Sequence, residues 1–136
     1  MLEAKILNEY HTIAVVGASS NPERASYKIT SYLMERGYNV NPVNPNTAEI
    51  LGKTSYPNLS SIPDKVEVVT IFRRSEEVMP IVGEAIKIGA KAVWMQEGVI
   101  NEEAAAKARG AGLLVVMDKC MRNEHQRLRQ KGTQVQ

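Results

Sequence analysis

Residues suited to holding a phosphate group stand together in the stretch GASSNPERAS, directly after the apolar run TIAVVG. Gly17 has no Cβ, so it lets the chain turn sharply or lets an anion approach the backbone. Ser19 and Ser20 add hydroxyl donors, and Arg24 adds a full positive charge. A helix starting just after this turn would direct its N-terminal amides at an anion. The stretch therefore predicts a turn that binds a phosphate or a pyrophosphate.

This turn differs from the common nucleotide-binding motifs. The dinucleotide fingerprint G-x-G-x-x-G needs three glycines and, about 20 residues later, a carboxylate for the ribose hydroxyls. Here the turn has one glycine, and Asn44 and Pro45 stand where the carboxylate belongs. No Arg lies within 39–48 to bind the extra phosphate of NADP, and LGKTS lacks the upstream glycine of a P-loop. The pattern counts against a dehydrogenase.

Short apolar runs rich in β-branched residues predict the strands that position this turn. Such runs without strict alternation are typical of strands buried on both faces of a parallel sheet. There are five of them, at 12–17, 39–43, 66–72, 91–95 and 113–117.

Amphipathic segments between these runs predict helices, and glycines mark their ends. We expect helices at 26–36, 75–88 and 101–109 and a polar helix at 121–132, the last followed by an unanchored TQVQ tail. Asn21 or Ser26 is placed to cap the first helix, Ser75 the second and Asn101 the third. Pro80 implies that the second helix begins later or bends there.

The alternation of strands and helices predicts one domain over 1–136 with an α/β fold. We expect a Rossmann-like, doubly wound, mainly parallel five-stranded sheet with helices on both faces. The long connection 44–64 replaces a regular crossover helix. Ligands of such sheets bind beyond the carboxyl ends of the strands, where the strand order reverses. The loops at that edge are 18–24, 44–46, 73–74, 96–98 and 118–121.

Composition bounds the environment and the partners. The chain has 17 Lys and Arg against 15 Asp and Glu, a net charge of +2, which argues for neither nucleic acid nor membrane binding. A single Cys excludes an intrachain disulfide, and one Cys with two distant His residues has no metal-site spacing. With no long apolar segment, we expect a soluble, cytoplasmic protein. A homodimer or an unknown protein partner is left open.

Several motifs in order, namely VVGASSNPERAS, YNVNPVNPN, ILGKTSYPNLSSIP and KAVWMQEGVINEEAAAKARGAGLLVVMDKCM, carry a family resemblance. Over roughly 6–128 the chain resembles small stand-alone CoA-binding proteins of bacteria and archaea. It is also similar to the CoA-binding domain of the succinyl-CoA synthetase α subunit and of ADP-forming acyl-CoA synthetases. The resemblance implies that the ligand is coenzyme A or an acyl-CoA.

The resemblance also implies which residues meet each part of coenzyme A. The implied contacts are Gly17, Ala18, Ser19, Ser20 and Arg24 for the phosphates, Val43, Asn44 and Pro45 for adenosine, Ile71, Phe72 and Arg73 for adenine and the upper pantetheine arm, and Gln96, Glu97 and Gly98 towards the thiol. The 3′-phosphate and pyrophosphate of CoA call for several cations, and Arg24, Arg73, Arg74 and Lys53 are available.

No catalytic machinery is evident in the sequence. The larger synthetases use a phosphohistidine outside this domain, and neither His11 nor His125 matches its motif, so synthetase activity is not inherited. Two alternatives stay open. One is a nicotinamide-dependent or acyl-CoA-handling enzyme using Asp118 as a base or Cys120 as a thiol activated by Lys119. The other is a CoA-sensing module that engages another protein.

Overall fold

A computed structural model describes all 136 residues of the chain. Its strands, in chain order, are β1 (Thr12–Val16), β2 (Asn39–Val43), β3 (Glu49–Ile50), β4 (Lys53–Thr54), β5 (Val68–Ile71), β6 (Ala92–Met95) and β7 (Leu114–Val116). Five of them form one parallel sheet in the order β2-β1-β5-β6-β7, and β3 and β4 form a small antiparallel hairpin. The predicted Rossmann-like, five-stranded α/β fold is confirmed.

Helices cover both faces of the sheet. They are α1 (Leu2–Glu9), α2 (Ala25–Glu35), α3 (Val78–Lys87), α4 (Glu102–Gly110) and α5 (Met121–Gln130). Buried residues of α1, α2 and α5 share one hydrophobic core cluster with the sheet, and those of α3 and α4 share the other. None of these helices is both long enough and apolar enough to span a membrane.

The strands are apolar on both sides because both sides are covered. In β5 and β6 every residue is buried, and Trp94 is fully enclosed. Its indole Nε1 donates a hydrogen bond to the carbonyl oxygen of Lys119 at 2.8 Å, which satisfies its only polar atom. Trp94 is therefore a core residue, as its place on a buried strand predicts, and not a stacking platform for a base.

The helix ends differ in part from the predicted caps. Asn101 caps α4 as expected, its Oδ1 accepting from the Ala104 amide at 2.9 Å. Ser75 does not cap α3. It begins a short 3-10 helix, Ser75–Glu77, and its Oγ accepts from the Ile100 amide at 2.9 Å. Because α3 begins at Val78, Pro80 lies in its first turn, where its missing N–H breaks no helical hydrogen bond.

The two ends of the chain hold each other, which the sequence pattern does not predict. Helix α1 was not expected, and its last turn is bound by Gln136, whose Nε2 donates to the carbonyls of Asn8 and Tyr10 at 2.8 and 3.0 Å. The Gln136 amide also donates to Leu7 at 3.2 Å. The segment after α5 is thus anchored to α1, contrary to the expectation that nothing holds it.

His125 lies at the centre of these end contacts. It is fully buried on α5, its Nδ1 is 2.7 Å from the Tyr32 hydroxyl, and its Nε2 faces the carbonyl oxygen of Gln136. Burial lowers the pKa of His125 below its usual value of 6.5, and the nearby cations Arg129 and Arg36 lower it further, against the hydrogen bond to Gln136. The folded protein therefore favours the neutral form of this imidazole.

We predict that the free energy of unfolding falls as the pH is lowered from 7 to about 5. The unfolded chain takes up a proton on His125 near pH 6.5, whereas the folded state resists it, so acid favours unfolding over this range. Urea denaturation of the parent and of His125→Gln at several pH values measures the slope. The variant loses the part of the slope that His125 contributes. Equal slopes in the two proteins would contradict this.

Candidate ligand-binding site

The register of the sheet brings three loops to one edge at the same level. Val16, the last residue of β1, pairs with Val43 of β2 and Ile71 of β5, so their successors Gly17, Asn44 and Phe72 emerge side by side. The strand order reverses here, since the chain moves from β1 to β2 on one side and then to β5 on the other. A crevice at such a point is where open α/β sheets bind ligands.

A cleft of about 490 Å³ lies at this edge. Its lining residues are Gly17, Ala18, Ser19, Arg24, Ala25, Ser26, Val43, Asn44, Pro45, Asn46, Phe72 and Arg73. Nine of these belong to the set implied by the sequence. The other three, Ala25, Ser26 and Asn46, come from the start of α2 and the loop after β2, and the prediction that a helix follows the turn is the signal that points to the first two.

The remaining residues of the implied set lie outside the cleft. Ser20 is exposed on the turn, and Ile71 is fully buried within β5. Gln96 is also buried, and its Oε1 accepts from the Met121 amide at 3.1 Å. Glu97 and Gly98 are exposed beyond β6, which is separated from β1 by β5.

The cleft depends on a close approach between Gly17 and the end of β5. Gly17 has φ +89°, and its amide donates to the Val43 carbonyl at 3.1 Å. A Cβ at this position would lie 2.9 Å from the carbonyl carbon of Phe72 and closer still to the carbonyl oxygen. Both the space and the backbone conformation therefore require glycine.

Backbone N–H groups around the turn are free to bind an anion. The amides of Ala18, Ser19, Ala25 and Ser26 make no hydrogen bond within the protein. Arg24 occupies the N-cap position of α2 and no side chain caps the helix, so its positive end faces the cleft uncovered. The expected cap by Asn21 or Ser26 is wrong.

The side chains expected to cap have other partners. Asn21 Oδ1 accepts from the Glu23 amide at 3.0 Å, which closes a turn ahead of the helix. Ser26 lies inside α2, one residue beyond the first helical position. The free helix terminus is therefore a feature of this turn, since a capping oxygen would occupy the donors that an anion needs.

Asn44 ties the loops on two sides of the cleft together. Its Nδ2 donates to the Ala18 carbonyl at 2.9 Å, and its Oδ1 accepts from the Asn46 amide at 2.8 Å. The backbone N–H of Asn44 also donates to Tyr56 at 2.9 Å. The amide that stands in place of a ribose-binding carboxylate is thus engaged within the protein.

The four expected cations have different positions. Arg24 is exposed at the cleft and forms no ion pair. Arg73 lines the cleft and pairs with Glu77, and Arg74 pairs with the same carboxylate from outside the lining. Lys53 donates to Asn39 Oδ1 at 3.3 Å. Because Asn39 begins β2, Lys53 lies towards the opposite edge of the sheet, and its assignment to the nucleotide end is wrong.

Residues beyond β6 and β7 hold the neighbouring loops in place. Asp118 has φ +61°, and its Oδ1 accepts from the Gly98 amide at 2.8 Å. The ammonium group of Lys119 pairs with Glu3 at 2.5 Å, and this contact raises the pKa of Lys119. Lys119 is therefore engaged with α1 and not with Cys120, which is half-buried against the core.

Comparison with known proteins gives a consistent result. The family model described as CoA binding domain matches residues 11–126. The chain is 36% identical to the uncharacterized protein YneT of Bacillus subtilis, covering 89% of this chain and 90% of the relative. The chain is 48% identical to a hypothetical protein from Pyrococcus horikoshii OT3 whose structure is solved. The two structures superpose with a TM-score of 0.90 over 93% of this chain and 89% of that protein.

A larger relative contains a similar region. The chain is 30% identical to the ADP-forming acetate–CoA ligase II of Archaeoglobus fulgidus over 68% of its own length. The match spans 14% of that ligase. The resemblance to CoA-binding domains inferred from the sequence motifs is confirmed.

We predict that Gly17→Ala destabilises the protein by about 2 to 4 kcal/mol, because the new methyl group combines a backbone strain with an overlap at Phe72. Gly98→Ala is the matched control, since Gly98 has φ +85° and open space around its Cβ position, so only the strain of about 1 to 2 kcal/mol applies. Urea denaturation measures both. Equal losses would show that the contact with Phe72 does not constrain the turn.

Proposed function

The chain belongs to the CoA-binding domain family, and on that premise we propose that it binds coenzyme A or an acyl-CoA, with the nucleotide end in the cleft beyond β1, β2 and β5. The observation that carries this proposal is the group of unpartnered backbone N–H donors at 18–19 and 25–26, with Arg24 beside them. Such a group of donors is complementary to a pyrophosphate.

The donor set explains how a pyrophosphate would be held. Residues of the turn and of the first turn of α2 line the same cleft, and the helix dipole adds partial positive charge. The Arg24 guanidinium adds a full charge and can form two parallel hydrogen bonds to a phosphate. Because Arg24 forms no ion pair in the protein, binding does not first require breaking one.

The other walls of the cleft suit the nucleoside. Val43 and Pro45 offer apolar surface, and Phe72 offers an aromatic ring on the opposite wall. Asn44 stands where an NAD site has a carboxylate for the ribose. Both of its side-chain polar atoms are already hydrogen-bonded within the protein. This favours CoA over NAD as the ligand.

We assign the thiol end to the part of the same edge beyond β5. The ends of β5 and β6 are joined by a backbone hydrogen bond at this edge, since the Gln96 amide donates to the Ile71 carbonyl at 3.3 Å. A pantetheine arm leaving the cleft past Phe72 and Arg73 would run towards Gln96, Glu97 and Gly98. On this proposal the exposed Glu97 and Gly98 meet the distal part of the ligand, while the buried Gln96 holds their loop against Met121, and all three contribute little to holding the phosphates.

The proposal is for binding, without a catalytic apparatus in this domain. Asp118 is held by the Gly98 amide, and His125 is enclosed between Tyr32 and Gln136. Lys119 is paired with Glu3, and Cys120 packs against the core. These contacts support a structural role for the residues that the sequence offered as acid, base or nucleophile. The activity of the larger ligase is not carried over from the fraction of it that this chain matches.

We predict that Arg24→Ala weakens CoA binding by about 1 to 3 kcal/mol, the contribution of a charge-assisted contact to a phosphate. Because the Arg24 side chain is exposed, stability changes little. Isothermal titration calorimetry with protein freed of carried-over ligand measures the affinity. Arg109→Ala removes an equally exposed arginine at the end of α4, outside the cleft, and serves as the control. An unchanged affinity in Arg24→Ala would remove Arg24 from the site.

A further inference from the structure

Three charged side chains meet at one corner of the cleft. Arg73 lines the cleft, and both its Nε and its Nη2 donate to Oε2 of Glu77, at 3.1 and 2.5 Å. Arg74 donates through Nε to the other carboxylate oxygen of Glu77 at 3.2 Å. A single carboxylate thus occupies two guanidinium groups, and it does so where the proposed ligand brings its own negative charge.

We propose that Glu77 is a specificity-determining residue of this site, an internal anion that competes with the phosphates of the ligand for Arg73. The inference rests on the proposed binding of CoA and adds to it a residue that does not line the cleft. Glu77 sets how much free positive charge the corner offers. It therefore sets how strongly affinity depends on the number of phosphate groups in the ligand.

The geometry of the contact supports competition. Arg73 donates to Glu77 through the Nε–Nη2 edge of its guanidinium. This is one of the two edges that can present parallel N–H groups to a phosphate. The Arg73 side chain is 43% exposed and that of Glu77 24%, so the pair is in contact with water. Ion pairs in such positions are weak and exchange partners readily. A phosphate can take over Arg73 without opening the core.

The backbone that carries Glu77 is fixed, so the exchange involves side chains alone. Ser75, at the start of the same 3-10 helix, accepts from the Ile100 amide through its Oγ and from Asn101 Nδ2 through its carbonyl, both at 2.9 Å. The Glu77 amide donates to the Arg74 carbonyl at 2.8 Å. Because these hydrogen bonds hold the backbone of the 3-10 helix, Glu77 stays beside the site when Arg73 turns to a ligand.

The charge balance gives the direction of the effect. Arg73 and Arg74 balance the carboxylates of Glu77 and Glu76 at this corner, and neutralising Glu77 leaves a net charge of +1. The added attraction grows with the charge of the ligand. It is therefore larger for CoA, which carries a 3′-phosphate, than for dephospho-CoA, and it is screened by salt.

The test compares Glu77→Gln with Glu76→Gln. Glutamine keeps an oxygen that accepts from Arg73 and removes the charge. Glu76→Gln makes the same charge change two residues along the chain from Arg74. Glu76 is 71% exposed, lies 3.8 Å from Arg74 Nε and does not pair with Arg73. Calorimetric titration with CoA and dephospho-CoA at low and high salt gives the affinities, in the parent and in Arg73→Ala backgrounds. Thermal unfolding checks that each variant is folded.

We expect Glu77→Gln to tighten CoA binding about threefold to tenfold at low salt, with a smaller gain for dephospho-CoA and a loss of the gain at high salt. Glu76→Gln gains about twofold or less, and Glu77→Gln gains nothing in the Arg73→Ala background. Unchanged or weaker binding by a folded Glu77→Gln, or an equal gain from Glu76→Gln, would overturn the inference while the parent still binds CoA. Absence of CoA binding by the parent would overturn the proposed function as well.

Discussion

The contact of the Gly17 backbone with the end of β5 is the constraint on which the site depends. It holds the turn after β1 against Phe72 and leaves no room for a side chain between them. Because β1, β2 and β5 end at the same level, this contact also sets where the start of α2 lies relative to Asn44 and Arg73. The residues of the turn, the start of α2 and Arg24 line one cleft as a result. The proposed binding chemistry thus depends on how closely two strand ends pack.

Much of this arrangement is predictable from the sequence. Buried parallel strands have a strong apolar signature, and the strand over Asn39–Val43 has the predicted bounds. Glycines after apolar runs mark the turns and the helix ends, and a glycine followed by hydroxyl residues and Arg24 marks the turn for which we propose phosphate binding. Nine of the fourteen residues implied by the family motifs line one cleft, since these residues directly follow strands that end side by side.

The remaining features depend on contacts between distant parts of the chain. Helix α1 is short, and its end is held by Gln136, which bonds residues 126 and 128 positions away in sequence. Lys53 has the right charge for a phosphate, but the hairpin β3–β4 carries it back towards the beginning of β2. The count of cations could not show that Glu77 occupies both Arg73 and Arg74. Composition gives the charges that are present, and only packing decides which of them are free.

The measurement that tests the central claim most directly is the affinity of the ligand-free protein for CoA, dephospho-CoA and NAD, compared by calorimetry under one buffer condition. A dedicated CoA site binds CoA best, dephospho-CoA markedly less well because it lacks the 3′-phosphate, and NAD weakest because no carboxylate awaits its ribose. Equal binding of NAD and CoA would contradict the account and reduce the cleft to a general phosphate site. No binding of CoA at millimolar concentration would remove the proposed function altogether.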